Sequence, residues 1–81
     1  MYSSNTFPQK CVAAVGSMTA AIKAQRVLLS ANISAEVVAL APEETRRGCA
    51  YGVEFAATFE NTARTAFRAA RISVSQYILK G

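Results

Sequence analysis

One unit, a helix signal followed after a short turn by an apolar strand signal, occurs twice in 81 residues and limits the fold more than any other feature. In the first copy, residues 17–40, Ser17 stands where an N-cap belongs. Ala20, Ala24, Val27, Leu28 and Ala31 then recur at three- and four-residue steps, while Lys23, Arg26 and Ser30 fall on other faces. Asn32 suits a left-handed helix stop, and residues 35–40 read as a strand that Ala41-Pro42 ends. In the second copy, residues 58–79, Thr58 and Asn61 are candidate caps. Ala63, Ala66, Phe67 and Ala70 form the apolar stripe, and Arg64, Arg68 and Arg71 line another side, with Glu60 one turn before Arg64. Residues 74–79 close the unit as a strand in which Tyr77 and Leu79 alternate with Gln76 and Ile78.

Two further strands frame these units. Residues 11–15 are an apolar run closed by Gly16-Ser17, and residues 51–57 place Val53 and Phe55 on one face and Gly52 and Glu54 on the other. The order is βαββαβ. It predicts an α+β, ferredoxin-like sandwich: a four-stranded antiparallel sheet with two helices on one face. With 52% apolar residues the chain can build one modest core, so residues 10–81 are expected to form a single domain behind a flexible leader, residues 1–9. Phe7 in that leader could fold back onto the domain edge. The start shows no apolar signal-peptide core and no run is long enough to span a bilayer, which predicts a cytoplasmic protein without membrane contact. Helices on one side should leave the other sheet face open. Val12, Ala14, Val38 and either Tyr77 or Ile78 would alternate onto it and favour a homodimer.

Cys49 is the residue with the clearest chemical setting, within Arg46-Arg47-Gly48-Cys49-Ala50-Tyr51-Gly52. Nearby arginines favour a thiolate, and glycine lets backbone N–H groups approach closely. The predicted topology brings the Gly16-Ser17 turn to the same end as this loop. There the first helical turn, Met18, Thr19 and Ala20, offers free N–H groups and the positive end of the helix dipole. The expected anion-stabilising set is therefore Arg46, Arg47, Gly48, Ser17, Met18 and Thr19. The competing reading is that Cys49 is an inert small hydrophobe, Ser17 only caps, and the arginines only solvate the loop. Cys11 begins strand one at the far end, which makes it a core residue too distant from Cys49 for a disulfide.

Other chemistries find less support. There is no histidine, so Cys-His and Ser-His nucleophile pairs are excluded and an enzyme is not expected. Glu43-Glu44 read as solvated loop charges or as acidic first-turn residues of a short helical segment. Cys49 and Met18 would supply at most two soft ligands, short of a closed zinc site, so neither metal nor cofactor is expected. The formal charge of +4 is compatible with nucleic acid, an anionic ligand or an acidic partner. Tyr51 and Phe55 on strand three are faintly similar to an RNA-recognition sheet, but Glu54 is a poor neighbour for phosphate and strand one has no aromatic to stack a base. Nucleic-acid binding is accordingly disfavoured.

Ser17-Met18-Thr19 with Ala20 and Ala24, then residues 37–40, Pro42 and the segment from Arg47 to Gly52, resemble the selenium/sulfur carrier-like family of short bacterial proteins. The resemblance covers nearly all of the chain after the leader. It implies a small-residue turn before helix one, a proline and basic residues after strand two, and one cysteine opening strand three, which fall here on Ser17, Pro42, Arg46 or Arg47, and Cys49. Many members follow the cysteine directly with glycine, whereas Ala50 and Tyr51 intervene here before Gly52. The implied role is carriage of sulfur or selenium on the Cys49 thiolate between donor and acceptor proteins, as a persulfide or selenosulfide. The alternative is a non-catalytic interaction or regulatory module; an RNA-binding or metal-chaperone domain ranks lower.

Overall fold

The structure, a computed structural model, describes residues 10–45 and 50–80. The expected leader and residues Arg46, Arg47, Gly48 and Cys49 lie outside the described residues. The elements run β1 (Lys10–Val15), α1 (Met18–Ser30), β2 (Ala35–Ala39), a 3-10 turn (Pro42–Glu44), β3 (Tyr51–Ala56), a second 3-10 turn (Ala57–Phe59), α2 (Glu60–Ala69) and β4 (Gln76–Lys80). The sheet order is β2-β3-β1-β4, with every hydrogen-bonded pair antiparallel. This is the ferredoxin-like α+β fold. Both crossovers join parallel strands, as right-handed connection over one sheet face requires.

β1 lies at the centre of the sheet, between β3 and β4, and its apolar run is buried without a break from Cys11 through Val15. A strand alternates its side chains, so burial of every residue means that both faces are covered. Cys11 and Ala13 belong to the larger core with Val53, Phe55, Ala24, Leu28, Ala63 and Phe67. Phe55 and Phe67 meet edge to face at 6.4 Å between centroids, joining sheet to α2. Gln25 Nε2 adds a polar tie from α1 by donating to the Ala35 carbonyl at 2.9 Å.

The two helices end in the same way. After α1, Asn32 N–H donates to Leu29 O and Ile33 N–H to Leu28 O; after α2, Arg71 N–H donates to Arg68 O and Ile72 N–H to Phe67 O. These are paired Schellman caps with the residue after each cap in the left-handed region, Asn32 at φ 63° and Arg71 at φ 61°. Asparagine tolerates that region, whereas arginine occupies it at a cost of roughly 1 kcal/mol. Arg71 is therefore past the helix and not part of the Arg64 and Arg68 face on which the sequence pattern had placed it. The expected caps of α2 also differ from the structure. Thr58 is inside the 3-10 turn, Asn61 is inside the helix, and Phe59 occupies the cap position with no side-chain bond. Glu60 supplies what the cap does not, a carboxylate in the first turn that binds Arg64 at 2.7 Å. Arg64 in turn lies 4.0 Å from the centre of the Tyr77 ring.

The second sheet face is where expectation and structure part. Val12 and Ala14 are fully buried in the single chain, and they cluster with Leu40, Val38 and Ile78. Tyr77 belongs to the opposite, helix-covered face. After β2 the chain turns back across this face. Glu44 reaches Lys80 on the far edge strand with a 2.9 Å ion pair, and Lys80 shares its face with Val12 by register. Val12 and Ala14 are thus withdrawn from any second copy, leaving Val38 and Ile78 half-buried at the flanks. Gly52 makes the covering possible. A Cβ there would stand 2.8 Å from the Ala13 carbonyl, 2.8 Å from Val12 Cγ1 and 3.2 Å from Leu40 Cδ1.

Gly52→Ala should therefore destabilise the fold by about 1–3 kcal/mol, because a backbone oxygen cannot yield as a flexible side chain would. Urea denaturation of the two proteins measures this, and an unchanged midpoint would mean that Ala13, Val12 and Leu40 do not close the space above Gly52.

Candidate functional site

The register sets one end of the sheet as the meeting place of three connections. Val15, the last residue of β1, is opposite Tyr51, the first of β3, and Tyr51 is opposite Ala39, the last of β2. The β1–α1 turn and the β2–β3 connection hence leave the sheet side by side. Ser17, Met18 and Thr19 are exposed there. Ala50, the residue after Cys49 in sequence, is held at the same end by the Leu40 N–H, which donates to its carbonyl at 2.8 Å. Ser17, Met18 and Thr19 thus stand at the same end of the sheet as Ala39 and Tyr51.

Ser17 is an N-cap in extended conformation, and its Oγ accepts from the Ala20 N–H at 3.1 Å. Its hydroxyl is thus engaged by the helix, while the N–H groups of the first turn lack intrahelical acceptors. No acidic residue occurs in the first turn of α1 to oppose an anion.

The entry to the Cys49 segment is fixed by Glu44. Its Oε1 accepts from Ala41 N–H at 2.9 Å while Oε2 meets Lys80. The Ala41 bond first, and Lys80 second, hold its carboxyl below the usual carboxylate range. Of the two sequence readings of Glu43-Glu44, the acidic turn is the one found, and Glu44 is a structural latch as well. Thr45 follows with its Oγ1 buried and without a partner. Residues 46–49 run from Thr45 to Ala50, so Arg46, Arg47, Gly48 and Cys49 occupy a segment whose two anchors are both described.

The other cysteine is in the opposite situation. Cys11 is a free thiol with no exposed surface, paired in register with Phe55 and Leu79 at the far end of the sheet. Burial first, and the Glu60 charge second, push it up to about 11, with Arg64 pulling the other way. It is a core residue, as the sequence pattern indicated.

Residues 10–78 match the family described as "Putative Se/S carrier protein-like". The chain belongs to that family. No curated protein and no solved structure matches it. The match starts at the first residue of β1 and stops within β4, so it takes in all of the ferredoxin-like unit but the end of its last strand, together with the connection that holds Cys49. No helix among the described residues is long and apolar enough to cross a membrane.

Two features of the family fold were not legible beforehand. Glu44 has no periodic signal, since its partner is 36 residues away and meets it only through the folded-back turn. A cavity formed by the β1–α1 turn and the α2–β4 connection brings Lys23 and Arg71 together, residues that the helical pattern assigns to unrelated solvent faces.

Two outcomes follow from these environments. In a Cys49→Ser variant, Cys11 should resist a bulky disulfide reagent near pH 8 and react only after guanidinium unfolding; rapid native labelling would contradict its burial. Because its folded pKa is raised, the stability linked to Cys11 is complete below the ordinary thiol value and declines as pH rises toward about 11. Glu44 has the reverse sign: with a lowered folded pKa, its contribution is present above the ordinary carboxylate pKa and fades as pH falls through the folded value. The urea midpoint of Glu44→Gln should hence lie below that of the parent at neutral pH and converge with it once the pH falls below the folded value. Equal midpoints at both pH values would remove the latch.

Proposed function

We propose that the protein carries sulfur or selenium on Cys49 as a persulfide or selenosulfide. The observation that carries this reading is the sealing of the other thiol. The chain has two cysteines, Cys11 is buried and held protonated, and the family is described by chalcogen carriage, which leaves Cys49 to do it. In the loading step the Cys49 thiolate attacks the outer sulfur of a donor persulfide, R–S–SH. The new S–S bond forms on Cys49, the donor's S–S bond breaks, and the donor departs as the thiolate R–S⁻. Unloading repeats the exchange: an acceptor thiolate takes the outer atom and Cys49 leaves as thiolate. Selenium follows the same path from R–S–SeH. No oxidant is consumed in either step.

Arg46 and Arg47, adjacent in sequence, lower the thiol pKa and favour the anion on both sides of the exchange. Gly48 leaves room for the partner's sulfur, and the Ser17-Met18-Thr19 turn at the same end adds backbone N–H groups. The protein acts as a stoichiometric cytoplasmic carrier between donor and acceptor proteins, with no cofactor and no enzymatic turnover. A second reading, a non-catalytic interaction module, is favoured by Met18, Ile22 and Leu29. These are exposed by 44%, 39% and 50% and are spaced by four and seven residues on one side of α1.

The decisive test uses Cys11→Ala protein. Alkylation of Cys49 should show a midpoint below the ordinary value of about 8.5, moving back toward it when Arg46 and Arg47 are changed to Gln. Mass spectrometry after exposure to a small persulfide or selenopersulfide should show one added sulfur or selenium atom, removable by a thiol. An ordinary midpoint with no adduct would reject carriage and leave the interaction module as the better account.

A further inference from the structure

A cavity of about 250 Å³ opens at the end of the sheet where β1 hands over to α1, lined by Gly16, Ala20, Lys23, Arg71, Ile72 and Ser73. That is room enough for a small anion or a compact head group. Lys23 and Arg71 come from the two pseudo-equivalent halves of the chain, so the cavity exists only where the halves meet. We propose that this cavity binds an oxyanion head group between Lys23 and Arg71, with Ser73 supplying a hydroxyl.

Charge balance is the first argument. The chain has five carboxylate side chains, Glu36, Glu43, Glu44, Glu54 and Glu60, and all five are among the described residues. None lines this cavity. Glu44 binds Lys80, Glu60 binds Arg64, Glu36 and Glu54 line a separate cavity with Lys10, and Glu43 lies in the Pro42–Glu44 turn. The fold therefore brings two cations to one concave surface without an internal carboxylate to answer them, and an oxyanion accepting from both completes the set.

The second argument is the backbone. Arg71 takes the left-handed position that Asn32 takes in the first half, with the same flanking hydrogen bonds. Asparagine would serve the cap better, and the cap alone gives no reason for arginine. Its place in the lining of the Lys23 cavity is a reason. Gly16 points the same way. A Cβ there would meet nothing within 4 Å and no positive φ requires glycine, so packing does not explain it, whereas an unobstructed cavity wall does.

The cavity wall also includes Ala20 and Ile72, which suits an oxyanion attached to an apolar body as well as a free one. The site is separate from Cys49 chemistry in its residues and does not depend on the carrier reading. Phosphate and phenyl phosphate are the probes, each set against chloride at matched ionic strength so that general screening is subtracted. Saturable thermal stabilisation is expected, with amide NMR shifts at Gly16 and Ser73. Tighter binding of phenyl phosphate assigns a head group on an apolar body, and equal binding assigns the free oxyanion.

Lys23→Met and Arg71→Asn should each weaken binding at least about tenfold, while Arg68→Met leaves it unchanged. Arg71→Asn also controls for folding, because asparagine suits the left-handed position and should keep or raise the Tm. The proposal is overturned if stabilisation matches chloride, or if it is saturable but equal in all three variants, since either result makes Lys23 and Arg71 solvated charges only.

Discussion

β1 is the member on which the rest of the structure depends. It pairs on both sides, with β3 and β4, and is covered on both faces, so its short apolar run supplies the sheet's centre and a share of each core. Alternation then divides the labour without ambiguity. Cys11 and Ala13 meet the helix-side core, while Val12 and Ala14 require a second cover. A slip of one residue would exchange the two sets, and both would be misplaced: the larger core is built around Phe55, Phe67 and Leu28, the smaller around Leu40.

The second cover is made from the connection after β2, and two contacts anchor it. Leu40 lies over Gly52, where any side chain would collide, and Glu44 ties the turn to the opposite edge through Lys80. This gives the segment before Cys49 a fixed origin at Thr45, and the Leu40–Ala50 hydrogen bond gives the residue after Cys49 a fixed return. Residues 46–49, with the thiol proposed to carry a chalcogen, join these two points in sequence.

Electrostatics are divided between the helices and the connections. Glu60, Arg64 and Tyr77 form a self-satisfied group between α2 and β4, which removes Arg64 from the pool of free cations. Burial raises the Tyr77 hydroxyl first, with the nearby Arg64 opposing it. Among the described residues no side-chain carboxylate lines the cavity of Lys23 and Arg71, which lies at the end of the sheet that also holds the Ser17 cap.

The element order, the parity of β3, the Ser17 cap, the Asn32 stop, the Glu60–Arg64 pair and the inert character of Cys11 could all be read from the sequence, because each depends on residues within about one turn or on strict alternation. The ends of α2 could not. Thr58 and Asn61 are good caps in isolation, but the 3-10 turn after β3 shifts the start of the helix between them. The burial of Val12 and Ala14, the role of Gly52, the Glu44 latch and the Lys23–Arg71 cavity were decided only by tertiary structure. Each needs residues far apart in sequence to meet across a sheet or between the two halves, and no local pattern records which distant side chain will occupy the space above a glycine or face a cation.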